Sequence, residues 1–124
     1  MRSTNARVLV ADGDDNVRIA MFRALLDRDV FCDCVHSGGD AIERLAGRPY
    51  ALVILDFSLP HAGAIAVIES LRMMSAASRP MVIATGDIDA STDSDLVQMV
   101  FRRPLRIRDL ADVADACVAQ VCTA

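Results

Sequence analysis

Five short apolar runs punctuate the chain, at residues 7–11, 30–35, 51–55, 81–85 and 99–102. The stretches between them carry apolar residues at helical spacing or clusters of turn formers, the pattern of parallel strands joined by crossover helices. The third run, Ala51-Leu52-Val53-Ile54-Leu55, has no polar alternation. Both of its faces are therefore expected to be buried, which makes it the natural central strand.

Between the first two runs, Val17, Ala20, Met21, Ala24 and Leu25 recur at three- and four-residue intervals and predict one apolar helix face that ends near Arg28. Asp14 or Asp15 is placed to cap its start. Ser37, followed three residues later by Asp40, resembles a weak capping box ahead of a second helix carrying Ile42 and Leu45, which Gly47 and Pro49 end. A third helix is expected to bury Ile65, Ile68 and Leu71. The last, from about Ile107, places Leu110, Val113, Ala114, Cys117 and Val121 on one stripe and Asp112 and Asp115 on the other. Residues 86–98 are polar, rich in Asp and Ser, and offer only Leu96 and Val97 as apolar anchors, so the fourth helix is expected to be short or frayed.

The β-α unit thus recurs five times, and right-handed crossovers give an α/β, doubly wound, five-stranded parallel sheet with its crevice at the carboxyl ends of the strands. A length of 124 residues fits a single domain over residues 1–124. No apolar run approaches the roughly 20 residues of a membrane span, and the first residues lack a signal-peptide core, so a cytoplasmic protein is expected. The net charge of −4 argues against a nucleic-acid surface, which needs clustered positive charge. All 13 basic residues are arginine, which excludes any mechanism built on a lysine amine. Neither Cys32-Asp33-Cys34 nor the pair Cys117 and Cys122 has the C-x-x-C spacing of redox or zinc sites. Buried reduced thiols are expected, unless Cys32 or Cys34 meets the C-terminal helix.

Chemistry is expected where strands end. Asp12 follows the first strand, Asp56 the third, and Thr85 ends the fourth. Carboxylates at adjacent strand ends repel one another unless a cation lies between them, and hard oxygen donors of this kind favour magnesium.

Four segments in this order resemble those of response-regulator receiver domains, over nearly the whole chain from Arg7 to Val121. They are Val8-Leu9-Val10-Ala11-Asp12-Gly13-Asp14-Asp15, Leu52-Val53-Ile54-Leu55-Asp56-Phe57-Ser58-Leu59-Pro60, Pro80-Met81-Val82-Ile83-Ala84-Thr85-Gly86 and Arg103-Pro104-Leu105. The resemblance implies a flavodoxin-like sheet of order 2-1-3-4-5 and a function in phosphorelay signalling. It makes Asp56 the acceptor of a phosphoryl group from a histidine kinase or phosphotransfer protein. Thr85 would contact the phosphate, Arg103 would supply the cationic side chain, and Asp12, Asp56 and the backbone carbonyl of Ser58 would hold Mg²⁺.

The sequence departs from the family at three places. Gly13 stands where a second carboxylate usually ligates the metal, so weak magnesium binding is expected, with Asp14 either substituting or serving as a helix cap. Arg103 replaces the usual lysine and keeps its charge with a bulkier, planar head that is also able to clamp Asp12 and Asp56 without metal. Val100 replaces the usual aromatic switch, and alternation points the adjacent Phe101 to the other face. Two further readings follow: a degenerate receiver acting as a phosphate-independent interaction module, and a phosphatase of the haloacid-dehalogenase type with Asp12-Gly13-Asp14 as its nucleophile motif. His61 and His36 are expected to be a solvated loop residue and a strand terminator.

Overall fold

The structure, a computed structural model, describes residues 7–86 and 95–123. Nine elements follow in chain order: β1 (Val8–Ala11), α1 (Asp15–Leu26), β2 (Cys32–Val35), α2 (Gly38–Gly47), β3 (Leu52–Asp56), α3 (Gly63–Arg72), β4 (Met81–Thr85), β5 (Met99–Phe101) and α4 (Ile107–Thr123). The five strands form one all-parallel sheet of order β2-β1-β3-β4-β5. This is the flavodoxin-like order expected from the sequence. The expected fourth helix falls largely on residues 87–94, outside the described residues, and residues 95–98 are not helical.

Alternation along the strands divides the core in two. Leu9, Ala11, Val53, Leu55 and Val82 face the layer of α2 and α3, whereas Val8, Val10, Leu52, Ile54 and Ile83 face the layer of α1 and α4. β3 is buried along its whole length, as its unbroken apolar run requires. Met21 and Leu25 of α1 fill the second core half, and Leu96 closes the first from beyond β4.

The helix starts follow their caps. Asp14 accepts a hydrogen bond from the Asn16 N–H at 2.8 Å, and Ser37 accepts one from the Asp40 N–H at 3.1 Å. Two side-chain assignments differ from the sequence expectation. Ile65 is 57% exposed and Val121 is 43% exposed. In α3 the buried face runs through Ala64, Val67, Ile68 and Leu71, and in α4 through Leu110, Ala111, Ala114 and Val118. These buried positions recur at three- and four-residue spacing, and Ile65 and Val121 fall just beside the stripe.

α2 and α3 pack against each other at their first turns. A Cβ on Gly38 would lie 2.6 Å from the Gly63 carbonyl oxygen and 2.7 Å from its Cα. Only glycine allows this approach. Outside the core, Arg28 ties α1 to α4 through Asp112 at 2.8 Å and 3.0 Å. Cys32 and Cys34 are reduced; their sulfurs lie 3.9 Å apart on β2, and the Cys34 thiol also faces the Arg18 carbonyl.

On the opposite face of β2, Asp33 gathers four groups. Its carboxylate accepts from the Tyr50 hydroxyl at 2.6 Å and Arg48 at 3.2 Å, with Arg7 at 3.6 Å and Arg44 at 3.9 Å. Burial opposes its charge, but the Tyr50 and Arg48 hydrogen bonds and the arginine charges hold the carboxyl below its ordinary range. Burial and the adjacent carboxylate push the Tyr50 phenol up to about 12.

Two outcomes are expected. Gly38→Ala should lower stability by about 1–3 kcal/mol, read as a lower urea midpoint with an unchanged slope. Because the Asp33 pKa is depressed on folding, its contribution is present above its unfolded value of about 4 and is lost as pH falls through the folded value. Thermal melts between about pH 5 and pH 2 should therefore show a steeper loss for the native chain than for Asp33→Asn. Parallel curves would mean that Asp33 is not held in this cluster in solution.

Candidate functional site

The three polar strand ends continue one row of the sheet. Val8 and Val10, Leu52 and Ile54, and Ile83 face the α1 and α4 layer, and stepping on by two places Asp12, Asp56 and Thr85 on that side. Asp56 pairs in register with Thr85, and Ala11 pairs with Leu55, so Asp12 lies one step beyond β1 beside Asp56. Phe101 pairs with Thr85 from the other side, which brings Arg103 over the same strand ends. The structure thus brings Asp12, Asp56, Thr85 and Arg103 to one edge of the sheet.

Asp12, Asp56 and Thr85 are each 3% exposed or less. A single guanidinium spans the two carboxylates: the Arg103 Nη2 lies 3.1 Å from Asp12 Oδ2 and 3.2 Å from Asp56 Oδ1. Asp12 Oδ1 accepts the Asp14 N–H at 2.8 Å. Asp56 Oδ1 accepts both the Ser58 N–H at 2.9 Å and the Ser58 hydroxyl at 2.6 Å. The Thr85 hydroxyl is buried and has no hydrogen-bond partner among the described residues.

These partners separate the two acids. Burial pushes Asp12 up, and the charge of Asp56 adds to this despite the Asp14 N–H and Arg103. Burial acts on Asp56 in the same direction, but the Ser58 hydroxyl and N–H together with Arg103 outweigh it and hold Asp56 below its ordinary range. Asp56 is thus the more readily ionised of the two carboxylates.

Asp14 is spent as the cap of α1, so it adds no inward carboxylate, and the D-x-D reading loses its second acid. Gly13 is exposed. Among the described residues, no group of three or more His, Cys, Asp or Glu side chains converges for a metal ion. The donor set for a cation is therefore small: two buried carboxylates, whose two negative charges face one guanidinium. Their excess negative charge and hard oxygens suit Mg²⁺, which manages with one or two carboxylates plus waters.

Two contacts were not legible in the sequence. The Ser58 side chain, and not only its backbone, engages Asp56, and Arg18 of α1 donates to the Asp12 carbonyl at 2.7 Å. Val100 is exposed while Phe101 packs toward the α1 and α4 core, so the two do point to opposite faces. His36 pairs with Asp40 at 3.5 Å, and His61 is exposed in the turn before α3. Beside Arg103 an open cleft of about 360 Å³ runs between the first turns of α1, with Val17 and Ala20, and the segment Pro104, Leu105 and Ile107. No helix among the described residues is long and apolar enough to cross a membrane.

The parallel 2-1-3-4-5 sheet with its flanking helices is the fold of CheY-like response-regulator receiver domains. Solved structures bear this out across most of the chain. A CheY-like receiver domain protein from Methanospirillum hungatei superposes with a TM-score of 0.82 at 22% identity, covering 97% of this chain and 99% of that one. A response regulator signal receiver domain from Bermanella marisrubri gives 0.75 at 25% identity over 90% and 97%. The response regulator TrrA from Thermotoga maritima, solved in complex with Mg(2+)-BeF, gives 0.77 at 19% identity over 90% and 98%. No family model matches the sequence, and no curated protein matches it.

A Cβ at Gly13 would meet only Leu59, at 4.0 Å. Gly13→Asp is therefore sterically open, and it should tighten Mg²⁺ binding in a calorimetric titration by about tenfold or more, as one added carboxylate ligand allows. Unchanged or weaker affinity in that variant would show that another group already fills the coordination position.

Proposed function

We propose that the chain is a cytoplasmic receiver module of a phosphorelay, a signalling device and not an enzyme, which accepts a phosphoryl group on Asp56 from a histidine kinase or phosphotransfer protein. The observation that carries this reading is the buried, unpartnered hydroxyl of Thr85 in register with Asp56. A buried hydroxyl without a partner costs about 1–3 kcal/mol, and it persists where a ligand is to supply that partner. A phosphoryl oxygen on Asp56 would do so.

The contacts from Ser58 and Arg103 all fall on Asp56 Oδ1, which leaves Oδ2 to attack. The Oδ2–P bond forms as the P–N bond of a phosphohistidine breaks; the electron pair leaves with the imidazole nitrogen, which takes a proton from solvent. Thr85 and Arg103 bind the equatorial oxygens, and positioning and charge neutralisation of this kind supply most of the catalysis in phosphoryl transfer. Asp12, Asp56 and the Ser58 carbonyl would hold Mg²⁺, which when bound supplies further neutralisation of the same oxygens. The apolar cleft beside Arg103 offers a protein donor a surface next to the acceptor.

A second reading is favoured by one observation. Arg103 already satisfies both carboxylates, as a phosphate-independent interaction module would require. Intact-mass spectrometry after incubation with acetyl phosphate and Mg²⁺ separates the two. A single added phosphoryl group is expected on the native chain, and none on Asp56→Asn. An unmodified native chain would establish the interaction module, and label that survives Asp56→Asn but is lost in Asp12→Asn would move the acceptor to Asp12.

A further inference from the structure

The place between two strand-end carboxylates, where a divalent cation is expected, is the place where Arg103 puts its guanidinium. One nitrogen, Nη2, lies within 3.2 Å of both Asp12 Oδ2 and Asp56 Oδ1. A cation that bridged these same oxygens would come within contact distance of that nitrogen, and two cations that close repel strongly in a crevice this buried. The two carboxylates balance at most two positive charges, so a divalent ion together with a bound guanidinium leaves the site with an excess of one. The Arg103 side chain is 36% exposed, so it has a way out to solvent.

We infer that Arg103 is an internal competitor of the divalent cation, which loads only as the guanidinium leaves the two carboxylates. This deepens the receiver reading and rests on it for the use of the cation, although the competition itself needs no phosphoryl transfer. The resting chain is held by arginine, and Mg²⁺ affinity measures how readily that hold is released. Gly13 and Arg103 then act in the same direction: one withdraws a ligand, the other occupies the site. Phosphate chemistry is favoured by the same exchange, because a guanidinium released from the carboxylates is free to take two oxygens of the arriving phosphoryl group.

The test is a pair of measurements on the whole chain. Calorimetric Mg²⁺ titration of Arg103→Gln should show affinity raised by about tenfold or more, while Arg102→Gln, which removes the same charge one residue away, should change it by about twofold at most. In the native chain, the NMR signals of the Arg103 guanidinium should move with the same midpoint as Mg²⁺ saturation, since the group changes partners as the ion binds. Unchanged affinity in Arg103→Gln, an equal gain in Arg102→Gln, or guanidinium signals that stay fixed while Mg²⁺ saturates would each overturn the competition. Should Arg103→Gln fail to fold, judged by circular dichroism, the native-chain spectra decide alone. A chain that takes no phosphoryl label yet binds Mg²⁺ more tightly as Arg103→Gln would remove the acceptor reading and leave this one standing.

Discussion

Two carboxylates buried at neighbouring strand ends form the constraint around which this molecule is organised. Isolated from water, Asp12 and Asp56 are costly; their mutual repulsion adds to that cost, and neither is tolerable without cationic or hydrogen-bonding partners. The fold supplies those partners from three directions. Asp14, the cap of α1, binds Asp12 through its N–H, and Arg18 of the same helix holds the Asp12 carbonyl. The turn after β3 supplies Ser58, and the segment after β5 supplies Arg103. The loops at the carboxyl edge of the sheet are thus shaped by charges that the sheet itself buries.

Those partners are distributed unequally, and the inequality assigns the roles. Asp56 has two donors from Ser58 as well as Arg103 and stays below the ordinary carboxylate range; Asp12 has one backbone donor and Arg103 and is pushed above it. One arginine serves both acids, so the difference comes from Ser58. Ser58, two positions past Asp56 and expected from the sequence to act only through its backbone, therefore decides which carboxylate is the stronger anion.

Much of this was legible in the sequence because it depends on one-dimensional regularities. Period-two alternation puts Asp12, Asp56 and Thr85 on the same side of the sheet once the strands are parallel and in register, and the unbroken run of residues 51–55 marks the centre. Asp14 and Ser37 announce themselves as caps by position alone. What the sequence did not show is set by tertiary contact. Ile65 and Val121 satisfy helical periodicity yet face outward, because the stripes that dock on the sheet run through Val67, Ile68 and Leu71 and through Leu110, Ala114 and Val118. The Ser58 hydroxyl and the two-acid reach of Arg103 depend on side-chain geometry at the meeting of three loops, for which no spacing rule exists. The segment of residues 87–94, where a short helix was expected, lies outside the described residues.

Replacing a lysine by an arginine at such a site changes more than bulk. An ammonium is a point charge that sits beside a carboxylate; a guanidinium carries its charge over a plane with several donors and is readily shared by two acceptors. Here that sharing is realised through one nitrogen of a side chain that is about one-third exposed. The arrangement holds both acids through nearly equal contacts, 3.1 Å to Asp12 and 3.2 Å to Asp56, while Ser58 gives Asp56 two further donors. Were the guanidinium to give way to a second cation, Asp56 would keep both Ser58 donors, whereas Asp12 would keep only the Asp14 N–H. The difference between the two acids follows from the number of hydrogen bonds on each carboxylate, and these are set by two short turns at one edge of the sheet.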